Sequence, residues 1–268
     1  MRPEEQHRAV RDRYAGIARQ AAEKQKEKER SAGPGGCGCG CGGGSGGGSG
    51  QADTGMKMAD YRGSDAGVVE GANLGLGCGI PTLATHIEPG HTVLDLGSGA
   101  GVDVFMAADG VGPEGRVIGV DMTPEMVELA RANARKDGRT NVEFRLGEIE
   151  HLPAADASID VVISNCVINL VPDKAQVYRE IFRILRPGGR FSISDVVSWG
   201  GLPREVQEDA ASVTGCVGGA MEQEAYLDVI REAGFDEVRV EQQQDYALFE
   251  SEPYGVRSIT VTGTRTEA

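Results

Sequence analysis

Thr92–Leu96 reads TVLDL, and Gly97–Gly101 follows at once as GSGAG. The first segment is a short, mostly apolar run of the kind that forms a buried strand. The second places glycine at alternate positions, so the backbone can turn sharply and a ligand can come close to its N–H groups. VDVFMAA then carries on as a helix. A strand entering a helix through a glycine loop is the opening unit of an open α/β sheet.

Downstream the same alternation repeats. RVIGVD reads as a second strand. TPEMVELARANARKDG reads as a helix with Thr123 as its N-cap, Pro124 at its first position and Gly138 at its end. Its core face is Met126, Val127, Ala130 and Ala134. VEFRLGEI and IDVVISN are two further strands. DKAQVYREIFRILRPGG is a helix that stops at Pro187-Gly188-Gly189, and RFSISDVV follows as a strand. A less regular stretch over about 200–233 precedes two last strands, DEVRVEQQ and SITVTGTR. Alternating strands and helices with apolar strands predict a parallel, doubly wound α/β sheet, Rossmann-like in kind.

The segment upstream is of another character. Residues 1–30 carry 9 Lys/Arg against 6 Asp/Glu, a local charge of +3, so the remainder carries −17 of the net −14. Val10, Tyr14 and Ile17 fall at helical spacing and predict a short amphipathic helix. Residues 31–50 contain 12 glycines and three thiols, Cys37, Cys39 and Cys41, which suits a flexible arm. We divide the chain into a charged helical segment (1–30), an arm and linker (31–65), a domain that holds the glycine loop and the alternating strands and helices (66–198) and a C-terminal region (199–268).

Composition excludes several classes. With 40% hydrophobic and 25% charged residues the chain suits a soluble globular protein. The net charge of −14 opposes binding to nucleic acid or to an anionic membrane. No apolar run reaches the roughly 18 residues of a membrane span, and the N-terminus lacks a signal-peptide core. The expected location is the cytoplasm, where cysteines stay reduced, so the six cysteines read as ligands, nucleophiles or core residues.

The glycine loop suggests what the sheet edge binds. Its spacing is G-x-G-x-G, not the G-x-G-x-x-G of a pyrophosphate loop. Asp95, two residues before Gly97, would repel a pyrophosphate and suit a cationic amino-acid ligand, with Gly97, Ser98 and Gly99 beside it. Asp121 ends the second strand, about 20 residues after the glycines, where a carboxylate can accept from ribose hydroxyls, with Met122 next to it. Gly147, Glu148 and Ile149 end the third strand where an adenine could lie, and Asn165 brings the fourth to the same edge. Capping of a turn by Asp95 and of a helix by Asp121 is the plainer reading, and it is compatible with ligand contact. The set resembles the class I S-adenosylmethionine-dependent methyltransferases over about 90–195.

The acceptor is a separate question. His7, His86, His91 and His151 offer no convincing general base. The chain offers thiols instead: Cys166 just past the fourth strand, Cys216 in TGCVGGA and Cys78 in GLGCGIP. Each alone could be a small buried hydrophobe. Three loop cysteines from remote segments also suit a soft-ion site, although no C-x-x-C marks a zinc knuckle.

GLGCGIP, HTVLDLGSGAGVDVFMAA, VIGVDMTPEMVELARANARK, DVVISNCVINLVPDK and GCVGGA together resemble the arsenite methyltransferases over about 66–235. The resemblance implies that Cys166 and Cys216 hold As(III), that Cys78 is also functional, and that an N-terminal cysteine works with it. Cys37, Cys39 and Cys41 are the redox candidates, in a C-G-C-G-C arrangement that departs from the family pattern. It further implies S-adenosylmethionine as methyl donor, a thiol reductant such as glutathione or thioredoxin, and As(III) and its methylated forms as substrates. A monomer is expected. A methyltransferase with another acceptor, and a non-catalytic thiol protein that sequesters soft ions, are the rival readings.

Overall fold

A computed structural model describes residues 2–31, 69–209, 212, 214–246 and 252–266. Cys37, Cys39 and Cys41 lie outside the described residues, as does most of the expected arm. The helix α1 (Pro3–Ser31) is followed, in chain order, by β1 (Thr92–Leu96), α2 (Val102–Val111), β2 (Arg116–Asp121), α3 (Pro124–Lys136), β3 (Val142–Leu146) and β4 (Ile159–Asn165). Then come α4 (Lys174–Ile184), β5 (Leu185–Trp199), α5 (Arg204–Glu208), α6 (Gln223–Glu232), β6 (Asp236–Asp245) and β7 (Gly255–Thr264). Single 3-10 turns occupy Pro81–Leu83 and Ile168–Leu170.

The seven strands of the described residues form one sheet in the order β3-β2-β1-β4-β5-β7-β6. Strands β1 to β5 pair in parallel, and β1, β2 and β4 are the buried, Val- and Ile-rich runs expected of such a sheet. The last pair departs from the expected all-parallel sheet: β7 runs antiparallel to both β5 and β6. The connection from β6 to β7 is short, and only antiparallel neighbours can be joined that way. The region 200–233 is also more regular than its sequence suggests. Tyr226, Leu227 and Ile230 give α6 a buried face, and Tyr226 packs edge-on against Tyr178 of α4. Conversely β3 ends at Leu146 and α4 at Ile184, both earlier than their sequence runs imply.

The chain order reverses between β1 and β4, and there the carboxyl ends of the parallel strands open a crevice. One apolar core lies on each face. Val104, Phe105, Val111, Val127 and Ala130 of α2 and α3 fill one side, and Val177, Tyr178, Ile181, Tyr226 and Ile230 of α4 and α6 fill the other. Among the described residues no helix is long and apolar enough to cross a membrane.

Candidate active site

At the end of β1 the chain turns through Gly97, Gly99 and Gly101, all with positive φ. Gly97 meets a second demand besides its φ of +66°: a Cβ there would lie 2.5 Å from a methyl of Val167, the residue after Cys166. Bare backbone is therefore what lets the glycine loop and the Cys166 turn meet. Above them lies an open cleft at the carboxyl ends of the parallel strands, where open α/β sheets bind their ligands. Asp95, Gly97, Ser98, Gly99, Asp121, Met122, Ile149, Asn165 and Cys166 border it.

The cleft is electrostatically prepared for a cation. Burial pushes the Asp95 carboxyl well above the ordinary carboxylate range, and the neighbouring Asp103 and Asp121 push it further. Asp121 is raised by burial, while the backbone N–H groups of Thr123 (2.8 Å) and Gly99 (2.9 Å) partly offset this by donating to its two oxygens. It thus fastens the glycine loop to β2 and keeps lone pairs for a ligand. Ser98 Oγ is buried without a hydrogen-bond partner among the described residues. A cationic, hydroxyl-bearing ligand fits this set, since it would relieve the repulsion and supply donors to the carboxylates.

Not every residue at the strand ends faces the cleft. Ile149 and Glu150 border it, but Gly147 and Glu148 do not. The Gly147 N–H donates to the Asp121 carbonyl at 3.0 Å, and Glu148 turns outward to Arg11 at 3.4 Å. Asn165 reaches the cleft, yet its amide also braces a neighbouring turn. Its Oδ1 accepts from the N–H of Cys78 (3.0 Å) and Gly79 (3.3 Å), and its Nδ2 donates to the Gly79 carbonyl and to Asp103. One side chain at the end of β4 therefore places Cys78.

Cys78, Cys166 and Cys216 meet in one buried cluster with Leu170, Val196 and Val217, and all three are free thiols. The Cys216 thiol donates to the Cys166 carbonyl at 3.1 Å. Contact with Cys166 lowers the Cys78 thiol, but burial and Asp195 outweigh it and leave that group raised. Contact with Cys216 likewise lowers Cys166, while Cys78 and burial leave it well above the usual thiol range. Contact with Cys166 and burial push Cys216 up. Among the described residues no three His, Cys, Asp or Glu side chains already have the spacing of a metal-ligand set. The trio is therefore a group of touching, protonated thiols and not a charged cage. Cys166 and Cys216 also share a strained backbone, with φ of +60° and +69°. Such conformations cost roughly 1–3 kcal/mol for a side-chain-bearing residue and gather at functional sites.

The amino-terminal helix has a role its sequence only hinted at. Val10 and Tyr14 of α1 border the cleft. Tyr14 packs both against the thiol cluster and against a second cluster that holds Ala100 of the glycine loop and Met126 and Leu129 of α3, so it touches both halves of the site. Polar contacts hold the helix in place: His7 to Glu150 (2.9 Å), Arg13 to Thr214 (2.7 Å) and Arg19 to Glu125 (2.8 Å). The contrast between a basic N-terminus and an acidic body was the available sequence signal. No histidine among the described residues borders the cleft.

A family model described as "Methyltransferase domain" matches residues 87–234. An arsenite methyltransferase of Halobacterium salinarum is 48% identical over 251 residues, which are 93% of this chain and 62% of that protein. The human arsenite methyltransferase is 40% identical over 168 residues, covering 59% of this chain and 44% of that one. The chain thus spans less than two thirds of the length of these relatives. Among solved structures, an arsenic(III) S-adenosylmethionine methyltransferase from Chlamydomonas reinhardtii superposes with a TM-score of 0.62 at 37% identity, over 72% of this chain and 68% of that one.

Proposed function

We propose, from the premise that this chain belongs to the arsenite methyltransferase family, that it transfers a methyl group from S-adenosylmethionine to trivalent arsenic held by Cys166 and Cys216, with Cys78 as third ligand or redox partner. The observation that carries this reading is the meeting of three thiols from remote segments in one buried cluster, with Cys166 at the rim of a cleft that asks for a cation.

S-adenosylmethionine supplies an electrophilic methyl group on a sulfonium. Asp95 and its acidic neighbours would hold the ammonium group of its amino-acid end, and Asp121 the ribose. Ile149 would lie against the adenine. The thiols exchange with the hydroxyls of arsenite or with its thiol adduct. Thiolate ligation keeps arsenic trivalent with its lone pair free. That lone pair is the nucleophile, so no general base is needed. The protein's main contribution is proximity and orientation, with Tyr14 closing the space between donor and acceptor.

Methylation takes arsenic formally from the trivalent to the pentavalent state. Two thiols that give up two protons and two electrons to form a disulfide return it, and an external thiol system reopens that bond. We assign this step to Cys78 and an arm cysteine, with glutathione or thioredoxin as reductant in the reducing cytoplasm. Serine at Cys37, Cys39 and Cys41 together should leave the first turnover intact and slow the later ones. Equal multi-turnover rates for that variant and the parent protein would remove the arm from the cycle.

The proposed donor also carries a pH signature. Asp95 is raised above its ordinary value in the free protein, so a cation bound beside it lowers that value and drives off a proton. S-adenosylmethionine should bind with proton release and weaken as the pH falls through the raised value. Calorimetry in two buffers of different ionisation enthalpy reads this directly, and uptake of protons would contradict it.

The reading as a whole is tested by incubating the protein with arsenite, glutathione and S-adenosylmethionine and separating the arsenic species. Methylated arsenic is expected. Bound but unmodified arsenite would favour sequestration, and no interaction with arsenite would point to a different acceptor.

A further inference from the structure

The chain leaves Cys166 in the left-handed region and makes a 3-10 turn over Ile168–Leu170. Asn169, in the middle of that turn, is fully buried. Its main-chain N–H donates to Asp195 on β5 at 3.1 Å. Its side-chain amide donates to the carbonyl of Val196, also on β5, and to that of Cys216 at 3.3 Å. The Cys216 loop presses down on the same residue from the other side: a Cβ on Gly219 would lie 2.0 Å from the Asn169 carbonyl oxygen. GCVGGA thus carries glycine where the loop must lie directly on Asn169.

Besides the contact between the two thiols, two side-chain-to-backbone hydrogen bonds join the Cys166 turn to the Cys216 loop. One is the Cys216 thiol donating to the Cys166 carbonyl, and the other is the Asn169 amide. They do not behave alike when a ligand binds. Each As–S bond forms as an As–O bond breaks, and the thiol proton leaves with the hydroxyl as water, with no change in oxidation state. The Cys216 sulfur then has no proton to donate, and its tie is lost. The amide tie is untouched by that exchange.

We propose that Asn169 is a positioning residue of the acceptor site, holding the Cys216 loop against the Cys166 turn so that both sulfurs stay within reach of one arsenic after the thiol hydrogen bond is given up. This rests on the arsenic reading of the thiol cluster. It adds a residue that touches neither sulfur nor donor, and whose loss uncouples the two cysteines.

The test is a double-mutant cycle on the full chain, with arsenite binding read by equilibrium dialysis and S-adenosylmethionine binding by calorimetry. Asn169→Ala should weaken arsenite binding about 10- to 100-fold, the range for losing buried hydrogen bonds that hold a chelate, and change S-adenosylmethionine binding less than about 3-fold. Adding Cys216→Ser to Asn169→Ala should then cost less than about 3-fold further, whereas the same serine in the parent protein costs far more. A purely structural role would give additive effects and would weaken both ligands together. Arsenite affinity within about 3-fold of the parent, or additive losses, overturns the proposal. If Asn169→Ala does not bind S-adenosylmethionine, Asn169→Leu, which is similar in volume and has no donor, carries the same expectations. A parent protein that holds no arsenite on its thiols defeats the arsenic reading itself, a distinct outcome.

Discussion

Cys166→Ser will lower arsenic methylation by on the order of 10³-fold while S-adenosylmethionine binds nearly as before, because a hydroxyl cannot replace a thiolate toward a soft centre. Serine is close in size and can take up the same left-handed backbone no worse than cysteine, so the fold has little reason to change. What disappears is the member of the trio that touches both others, Cys78 and Cys216. Single-turnover methylation and donor affinity, measured on one preparation, separate the two effects. Methylation within about tenfold of the parent would show that arsenic is not held at the end of β4.

Asp95→Asn carries the second large expectation, and its two effects have opposite signs. The donor should bind on the order of 100-fold more weakly, since the cation loses a buried counter-charge. The ligand-free protein should become more stable. Asp95 is raised by burial and by two neighbouring carboxyls, so its charged form is disfavoured in the fold. For an acid shifted upward, that destabilisation is full above the raised value and fades as the pH falls toward the unfolded one. The gain in melting temperature should therefore be seen at about pH 8 and shrink toward about pH 4. A variant less stable than the parent at the higher pH would show that Asp95 is a structural cap first. Stabilisation bought by losing function is the mark of a site kept under strain for its ligand.

The part of this site that could be read from sequence is the part carried by local rules. TVLDLGSGAG declares its strand, turn and helix because alternate glycines after an apolar run have few other uses. Asp121 ends β2 and, by its place in the chain, has to reach the same edge. Cys166 is legible for the same reason, as the residue just past a buried strand. Local rules do not say what covers that edge. The stripe of Val10, Tyr14 and Ile17 marks a helix, but its docking over the cleft depends on Glu125, Glu148 and Glu150, more than a hundred residues away. Asn169 was hidden in the same way, since a polar residue among Val167, Ile168 and Leu170 has meaning only once Val196 and Cys216 are brought to it. The reversed direction of β7 and the short reach of β3 are matters of pairing, which no single segment encodes. Asn165 gave a mixed signal: it reaches the donor cleft, yet its amide is spent largely on placing Cys78.

One arsenic atom, held by the thiols at the end of β4 and in the Cys216 loop, is expected to receive the methyl group in place. X-ray absorption at the arsenic edge follows this on protein loaded with one equivalent of arsenite and then given one equivalent of S-adenosylmethionine. The expected spectrum is a shell of two or three sulfur neighbours that gains a carbon neighbour after the single turnover, and that sulfur shell is lost in Cys166→Ser. A shell made of oxygen alone before the donor is added, or a sulfur shell that gains no carbon after it, would rule out transfer to thiol-held arsenic.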